Sequence, residues 1–328
     1  MYTIGMNIVV GVLRGGPSHE YETSLATGNV LLSHLLPERY TPRDIFIDKT
    51  GVWHVAGRPV SPVRVLEMVD VVLVGLHGEY GEDGEVQKIL ERHGVPYSGS
   101  NSFASFLAMH KVFAKKYAGE NKIHTPRYVL IESPDDIADS IMTAVRAFIP
   151  PVVVKPVRWG SSVGVSLSTG YPQVHEAAVA LFDEGAQNVL LEEYVRGREA
   201  SVGVIENFRG EELYTLPVAE IIATRNEEFL SSDVKKNDEG IKISCPATFS
   251  KSQKEELLQS AMAMHRSLGL RHYSRSDFIV TPHSIHYIET HSLPELAEKS
   301  IFPAMLEAVG EPSPNFTEHL INLALSKD

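Results

Sequence analysis

Long apolar runs separated by helical patterns characterise the first part of the chain. NIVVGVL (7–13) and VDVVLVGL (69–76) are nearly continuous apolar runs, as expected of strands that are covered on both faces. A helical pattern runs from about Glu20 to Leu36 after the first strand, and another, GEVQKILERHG, ends at Gly94. This alternation predicts an open α/β sheet with ligand-binding loops at the strand ends.

The middle of the chain has a different pattern, dominated by short β-like runs. These are YVLIES, PPVVVKPV, GVSLS and NVLLEEYV, with helices predicted near 134–147 and 172–184. A single helix is predicted before them, from about Ser102 to Ala118. The residues assigned to its apolar side are Phe103, Phe106, Leu107, Phe113 and Tyr117.

The last part contains a helix with clear end signals. Ser250 and Gln253 form a capping-box pattern at its start, and Gly269 ends it. At 328 residues the chain is long for a single core. We predict an α/β protein, α+β in parts, with three domains at 1–100, 101–187 and 188–328.

A β-hairpin near the C-terminus carries two acidic residues. SRSDFIV and IHYIET alternate apolar and polar residues around the turn TPHS (281–284). If Thr281 pairs with Ser284, the register places Asp277 almost opposite Glu289, with His291 just beyond. Paired carboxylates suit Mg²⁺, which substrate phosphates usually complete. Two solvated carboxylates on a half-exposed hairpin give the same pattern.

Composition limits the kinds of partner. Hydrophobic residues make up 43% of the chain and charged residues 22%, as in globular proteins. The net charge of −12 argues against a general nucleic-acid or membrane surface, so a nucleotide needs a local basic site. The one cysteine, Cys245, excludes an intramolecular disulfide and fits a reducing cytosol. The N-terminus lacks the basic segment of a signal peptide, and no apolar run is long enough to span a membrane.

A loop rich in glycine and serine follows a buried strand in VVVKPVRWGSSVGVS (152–166). Its backbone N–H groups and hydroxyls can fold over phosphate oxygens. No Gly-Lys-Ser/Thr opens a helix here, so it is not a Walker A loop. An ordinary hairpin loop has the same composition, but Lys155, after an apolar run, indicates an anion.

Three other segments carry candidate polar groups. Glu192 and Glu199, in LEEYVRGRE, can accept hydrogen bonds from a nucleoside, although a solvated acidic turn fits equally well. His77 follows a buried strand, where either a ligand or a structural hydrogen bond can engage it. Glu20 follows the first strand and can also favour the N-terminus of the next helix electrostatically.

Taken together, five motifs in order resemble the D-alanine–D-alanine ligase family of the ATP-grasp superfamily. They are HGEYGEDG, KPVRWGSSVGVS, EEYVRGRE, SRSDF and ETHSLPELAEKS, and the resemblance extends from the first strand to about residue 325. It implies a three-domain ATP-grasp fold with ATP between the central and C-terminal domains. It further implies a cytoplasmic enzyme, often a homodimer, that acts on small molecules and not on nucleic acid or membranes.

The resemblance also implies roles at the nucleotide. Lys111 and Lys155 would contact the phosphates, together with Ser162 of the lid loop. Adenine would contact Glu192, and ribose would contact Glu199. The metal, Mg²⁺ or Mn²⁺, would be held by Asp277, Glu289 and His291.

The implied reaction is ATP-dependent joining of two D-alanine molecules through an acyl phosphate, for peptidoglycan synthesis. Glu20 would hold the ammonium of the first D-alanine, with Ser161 and His77 near it. Arg275 would stabilise the acyl phosphate and the tetrahedral intermediate. Ser300 would bind the carboxylate of the second D-alanine.

Three positions depart from the family pattern. His291 stands in place of a metal-binding Asn, and Glu295 in place of a Gly whose backbone lies near the reacting phosphate. Lys236, in FLSSDVKK, stands where a Tyr closes over the first substrate. A smaller departure is Trp159 in the lid loop.

Two functional hypotheses follow from these departures. The first is a D-Ala-D-Ala ligase. The second is a divergent ATP-grasp protein that binds nucleotide and either joins other substrates, such as a D-hydroxy acid, or has no ligase activity.

Overall fold

A computed structural model describes residues 7–224 and 240–326. The segment FLSSDVKK with Lys236 therefore lies outside the described residues. Within the described part of the chain, none of the helices combines the length and apolar character needed to cross a lipid bilayer.

The N-terminal unit is a five-stranded sheet. Its strands are β1 (Ile8–Gly15), β2 (Tyr40–Ile47), β3 (Trp53–Val55), β4 (Arg58–Pro59) and β5 (Val71–Val74), in the order β4-β3-β2-β1-β5. β1 pairs in parallel with β2 and β5. The helices are α1 (Tyr21–His34), α2 (Pro62–Leu66) and α3 (Glu85–Arg92). β1 lies inside the sheet and β5 at its end, where Val72 forms an isolated bridge with Tyr97. Both strands are largely buried, and they contain the apolar runs seen in the sequence.

The prediction of a single helix from Ser102 to Ala118 is wrong. Two helices form there, α4 (Ser102–Met109) and α5 (Lys111–Glu120). The chain leaves helical geometry at His110, with φ −81° and ψ 95°, and the Lys111 N–H donates to the Val157 carbonyl at 3.2 Å. The assigned apolar side is wrong at Phe103 and Phe113, which are 67% and 39% exposed. It is confirmed at Leu107, which is buried, and at Phe106 and Tyr117, which pack against the core.

The second sheet is antiparallel and contains the Gly/Ser loop. Its strands are β6 (Tyr128–Ile131), β7 (Val152–Pro156), β8 (Ser166–Ser168) and β9 (Val189–Glu193), in the order β6-β9-β7-β8. Helices α6 (Ile137–Ala147) and α7 (Tyr171–Asp183) pack against it. The loop joins β7 to β8, so the predicted strand-loop-strand arrangement is confirmed.

The third sheet carries the acidic hairpin. Its strands are β10 (Arg198–Phe208), β11 (Glu211–Thr215), β12 (Ala219–Ala223), β13 (Ile241–Ser244), β14 (Tyr273–Val280) and β15 (Ile285–His291). The order is β13-β12-β10-β14-β15, with β11 also paired to β10. α4 and α5 pack on β15. The remaining helices are α8 (Lys251–Ser267), α9 (Ile301–Ala308) and α10 (Ser313–Leu325).

The predicted capping box at the start of α8 is confirmed. The Ser250 hydroxyl accepts from the Gln253 N–H at 3.2 Å, and the Gln253 side chain accepts from the Ser250 N–H at 3.1 Å. α8 packs against β10 and β14, so the cap stabilises a helix that supports the hairpin strand β14.

Candidate active site

A cleft of about 1000 Å³ brings together strands of the second and third sheets and the start of α1 in the N-terminal unit. Every predicted site residue except His77 lines it. Those residues are Glu20, Lys111, Lys155, Ser161, Ser162, Glu192, Glu199, Arg275, Asp277, Glu289, His291 and Ser300. The cleft thus collects side chains from segments far apart in sequence.

The hairpin supplies the acidic part of the cleft. The predicted pairing of Thr281 with Ser284 is confirmed, and a register shift between Asp277 and Phe278 places Asp277 directly opposite Glu289, where the sequence predicted it almost opposite. The Thr281 N–H donates to the Ser284 carbonyl at 2.9 Å, and Asp277 lies opposite Glu289. One ligand atom from each of Asp277, Glu289 and His291 lies within 4.8 Å of the others. Two carboxylates and an imidazole at this spacing can share one divalent cation.

Cationic side chains neutralise the two carboxylates. Arg275 donates to both oxygens of Asp277, at 2.9 and 2.8 Å, and the Lys111 Nζ lies 2.9 Å from Glu289 Oε2. Burial opposes ionisation, but Arg275 lowers the pKa of Asp277 and Lys111 lowers that of Glu289. Both groups are therefore anionic at neutral pH and available to a cation.

His291 lies between these carboxylates. Its Nε2 is 3.5 Å from an oxygen of Asp277 and 3.5 Å from an oxygen of Glu289. Burial and Arg275 disfavour the charged imidazole, yet Asp277 and Glu289 raise the pKa of His291 to about 10. A divalent cation bound here would displace the proton from His291, since a metal-ligating imidazole is neutral.

A buried charge cluster lies at the other side of the cleft. Glu192 Oε1 is 2.6 Å from the Lys155 Nζ, and Glu192 Oε2 is 2.6 Å from the Lys115 Nζ. Burial raises the pKa of Glu192, but the two ammonium groups outweigh burial and lower it. Burial lowers the pKa of Lys115 to about 8, against the attraction of Glu192. Glu192 thus carries two cationic partners, one of which, Lys155, lines the cleft.

The Gly/Ser loop closes against the N-terminal unit. The Ser161 hydroxyl donates to Glu20 Oε2 in a short hydrogen bond. Ser161 and Ser162 have positive φ angles of 48° and 58°, so the loop turns sharply here. The Trp159 ring contacts the His19 ring at a tilt of 48°, with 4.8 Å between centroids. The backbone carbonyl of Trp159 accepts from the Lys111 Nζ at 2.7 Å.

Glu20 is a buried carboxyl with an open oxygen. Its Oε1 is buried and has no hydrogen-bond partner among the described residues. Burial, followed by the charge of Glu82, raises the pKa of Glu20 to about 8. An ammonium group of a ligand would satisfy this oxygen and favour the ionised form.

His77 is held by hydrogen bonds at the start of the loop that follows β5. Its Nε2 lies 2.8 Å from the Thr27 hydroxyl, and its backbone N–H donates to Ser24 at 2.9 Å. Burial lowers the pKa of His77, which favours the neutral ring. The structure places His77 behind the cleft, in contact with α1, the helix that follows Glu20.

Ser300 lies at the N-terminus of α9 and contacts Glu295. Its hydroxyl donates to Glu295 Oε2 at 3.0 Å, and Glu295 Oε1 lies 3.4 Å from the Ser161 hydroxyl. Glu295 also lines the cleft. Glu295, which stands in place of a Gly in the family pattern, is therefore part of the candidate active site.

Sequence reasoning missed three supporting residues. Lys115 is one helical turn after Lys111, a spacing that could have identified it. Ser201 donates to Asp277 at 2.6 Å from the neighbouring strand β10. Glu82 accepts from the Gly78 and Leu293 N–H groups, at 3.0 and 3.3 Å, and so ties two loops together. Only the tertiary fold brings Ser201 and Glu82 to these partners.

Comparisons with known proteins identify the family of this chain. Two family models match the chain, the D-ala D-ala ligase C-terminus over residues 119–322 and the D-ala D-ala ligase N-terminus over residues 57–100. A D-alanine--D-alanine ligase of Corynebacterium aurimucosum is 32% identical over 97% of this chain and 98% of that protein. One of Geotalea uraniireducens is 34% identical over 97% of this chain and 96% of that protein.

Solved structures show the same architecture. The VanG D-Ala:D-Ser ligase from Enterococcus faecalis matches with a TM-score of 0.84 at 26% identity, covering 98% of this chain and 100% of that chain. The fold is thus that of an ATP-grasp protein, and the predicted α/β class is confirmed. The chain belongs to the D-alanine–D-alanine ligase family.

Proposed function

We propose that this protein joins two D-alanine molecules in an ATP-dependent reaction that supplies peptidoglycan synthesis. The observation that carries the proposal is a cleft that combines buried lysines with an acidic hairpin and an open carboxyl at Glu20. Lysines suit phosphates, the acidic pair suits a cation, and the open carboxyl suits an amino acid's ammonium.

Nucleotide binding is proposed for the lysine side of the cleft. Lys111 and Lys155 would contact the phosphates, with the Ser162 hydroxyl above them. Glu192 and Glu199 would accept hydrogen bonds from adenine and ribose. Because Lys155 pairs with Glu192, a bound phosphate would compete with that carboxylate for the Lys155 ammonium.

Amino-acid binding is proposed for the lid side. Glu20 would hold the first ammonium, while Ser161 joins Glu20 to the lid and His77 supports the loop behind it. Ser300 would donate to the carboxylate of the second amino acid. Arg275 would stabilise negative charge on the acyl phosphate and on the tetrahedral intermediate.

Asp277, Glu289 and His291 are the residues that would hold Mg²⁺ or Mn²⁺. The donor set fits, because both carboxylates are ionised and close to the imidazole. A bound divalent cation supplies neutralisation of phosphate charge during transfer.

The residues of this chain then serve the reaction in sequence. A carboxylate is a poor acylating agent, so phosphorylation by ATP activates the first D-alanine. Lys111 and Lys155 would offset the charge of the phosphates. The lid, held by Ser161 and Trp159, would exclude water, which otherwise hydrolyses the acyl phosphate.

We also propose how the chain divides into domains. The N-terminal unit covers 1–100, as the sequence predicts. The sequence predicts the next two domains at 101–187 and 188–328. Because β9 (Val189–Glu193) pairs within the second sheet, we propose that the boundary between them lies just after that strand. The use of ATP and the single cysteine support a cytoplasmic enzyme, and family resemblance supports a homodimer.

A second candidate is ligation to another acceptor. The likeness to a D-Ala:D-Ser ligase and the position of Glu295 favour it. Phosphate release from ATP, screened across D-amino acids and D-lactate, separates the two functions. We expect the fastest release with D-alanine alone. Faster release when another acceptor is added would favour the second candidate, and no release with any of them would refute ligase activity.

A further inference from the structure

Glu295 lies between the two groups of residues assigned to the two amino acids. On one side it approaches the Ser161 hydroxyl, 3.4 Å away, which is bound to Glu20. On the other side it accepts from Ser300 at 3.0 Å. A carboxylate between these groups is at the place where the two substrates meet.

The oxygens of Glu295 retain accepting capacity. A hydroxyl has one hydrogen to donate, and that of Ser161 is directed to Glu20 in the shorter contact. Glu295 Oε1 therefore receives at most a weak bond from Ser161, and the residue lines the cleft. It can accept a hydrogen bond from a ligand cation.

We propose that Glu295 is the general base for the acceptor amine, an inference that rests on the proposed function. The second D-alanine enters as an ammonium, whose nitrogen has no lone pair and cannot attack. Glu295 accepts one proton from it, which leaves a free amine beside the acyl phosphate of the first D-alanine.

The remaining bonds then rearrange without any other reagent. The amine lone pair forms a C–N bond to the acyl carbon, and the C–O bond to phosphate breaks with its electron pair on the phosphate. The second proton of the nitrogen leaves with the phosphate. The products are the dipeptide, phosphate and a protonated Glu295, which returns its proton to water.

Charge balance explains how a carboxylate can function at this position. An ionised Glu295 would repel the phosphate and the developing oxyanion. Once it has taken the acceptor's proton it is neutral, and this happens before the oxyanion forms near Arg275. The negative charge is thus present when the ammonium binds and absent when the oxyanion develops.

Hydroxylamine tests this role, because it is a weak base that is already neutral at neutral pH. It captures the acyl phosphate as a hydroxamate without needing a general base. Glu295→Gln keeps the shape of the side chain and removes the base. We expect dipeptide formation to fall ~100-fold or more, as loss of a general base does, while hydroxamate formation from D-alanine and ATP stays unchanged.

The ratio of dipeptide to hydroxamate within one preparation cancels any loss of folded protein. Glu295→Asp should retain part of the dipeptide activity, and Glu298→Gln, an exposed carboxylate of the same loop, should change neither product. An equal fall of both products, or unchanged dipeptide formation, in Glu295→Gln would overturn the proposal. If the parent protein forms no hydroxamate, the proposed function itself fails.

Discussion

Lys115 shows how a buried residue can prepare a site without lining it. It neutralises Glu192 from behind, while Lys155 neutralises the same carboxylate from the cleft side. A buried carboxylate that loses its only cationic partner is strongly destabilised. Under the proposed function, Lys115 would therefore keep Glu192 paired when Lys155 turns toward the phosphates of ATP.

Lys115→Met should raise the Michaelis constant for ATP, because Lys155 would then remain bound to Glu192. We expect roughly a tenfold increase, equivalent to about 1.4 kcal/mol, with little change in the constant for D-alanine. Steady-state kinetics measures both constants. Lys116→Met, at the exposed neighbouring lysine, is the matched control. Lys115→Arg keeps the positive charge and should retain the ATP affinity of the parent. Equal effects at Lys115 and Lys116 would contradict this role.

Glu289→Gln tests the acidic pair. It removes the anion that faces Lys111 and would reduce cation binding, so ATP turnover should be abolished while the fold remains intact. Phosphate release and a thermal melt measure the two properties. Glu255→Gln, on the exposed side of α8, should have no effect on turnover. Turnover near that of the parent would remove Glu289 from the metal assignment.

His291 should tilt the metal preference, because imidazole suits Mn²⁺ better than Mg²⁺. We expect a higher rate with Mn²⁺ at saturation of each metal, and a smaller difference in His291→Asn. Rates with each metal in both proteins test this. If the parent shows no difference, His291 does not ligate the cation.

The lid illustrates how an element depends on contacts outside itself. Its loop joins two short strands, and it is held closed by Ser161 against Glu20 and by Trp159 against His19. Both contacts reach the N-terminal unit. The lid's closed position is therefore a property of two units and not of the loop sequence.

Trp159→Ala should loosen the lid and admit water to the acyl phosphate. We expect more phosphate released per dipeptide formed, because hydrolysis then competes with the acceptor. Measuring both products under one condition gives the ratio. Phe103→Ala removes an aromatic side chain that is 67% exposed and should leave the ratio unchanged. An unchanged ratio in Trp159→Ala would mean that other contacts keep the lid closed.

At the scale of the whole molecule, closure buries Glu20 between the N-terminal unit and the lid. Its pKa is raised from 4.5 to about 8 by burial and by Glu82. Between these values the folded protein holds a proton that the unfolded chain releases. Stability against unfolding therefore falls as the pH rises from about 5 to about 8.

Glu20→Gln should remove this pH dependence. We expect the stability of the variant relative to the parent to increase from pH 5 to pH 8 and then to stay constant. Denaturant unfolding of both proteins at several pH values measures it. Glu22→Gln, an exposed carboxylate two residues away, should follow the parent. Parallel pH profiles for the parent and Glu20→Gln would contradict the buried, protonated state.

The sequence by itself determined the local features of this protein. The apolar runs predicted β1 and β5, and the capping box predicted the start of α8. Period-two alternation predicted the hairpin with Asp277 almost opposite Glu289. The capping box and the hairpin depend on interactions between residues close in the chain. β1 and β5 pair with strands far away in the chain, but their burial leaves a continuous apolar run, so a local pattern is sufficient to predict them as well.

Tertiary structure alone decided the break at His110, the partners of Glu192 and the position of Glu295. The break occurs where the Lys111 amide bonds to Val157 in the second unit. Glu192 meets Lys115, and Glu295 meets Ser161, only after separate segments have packed. Charge pairing and burial depend on three-dimensional distance, which the order of residues does not contain.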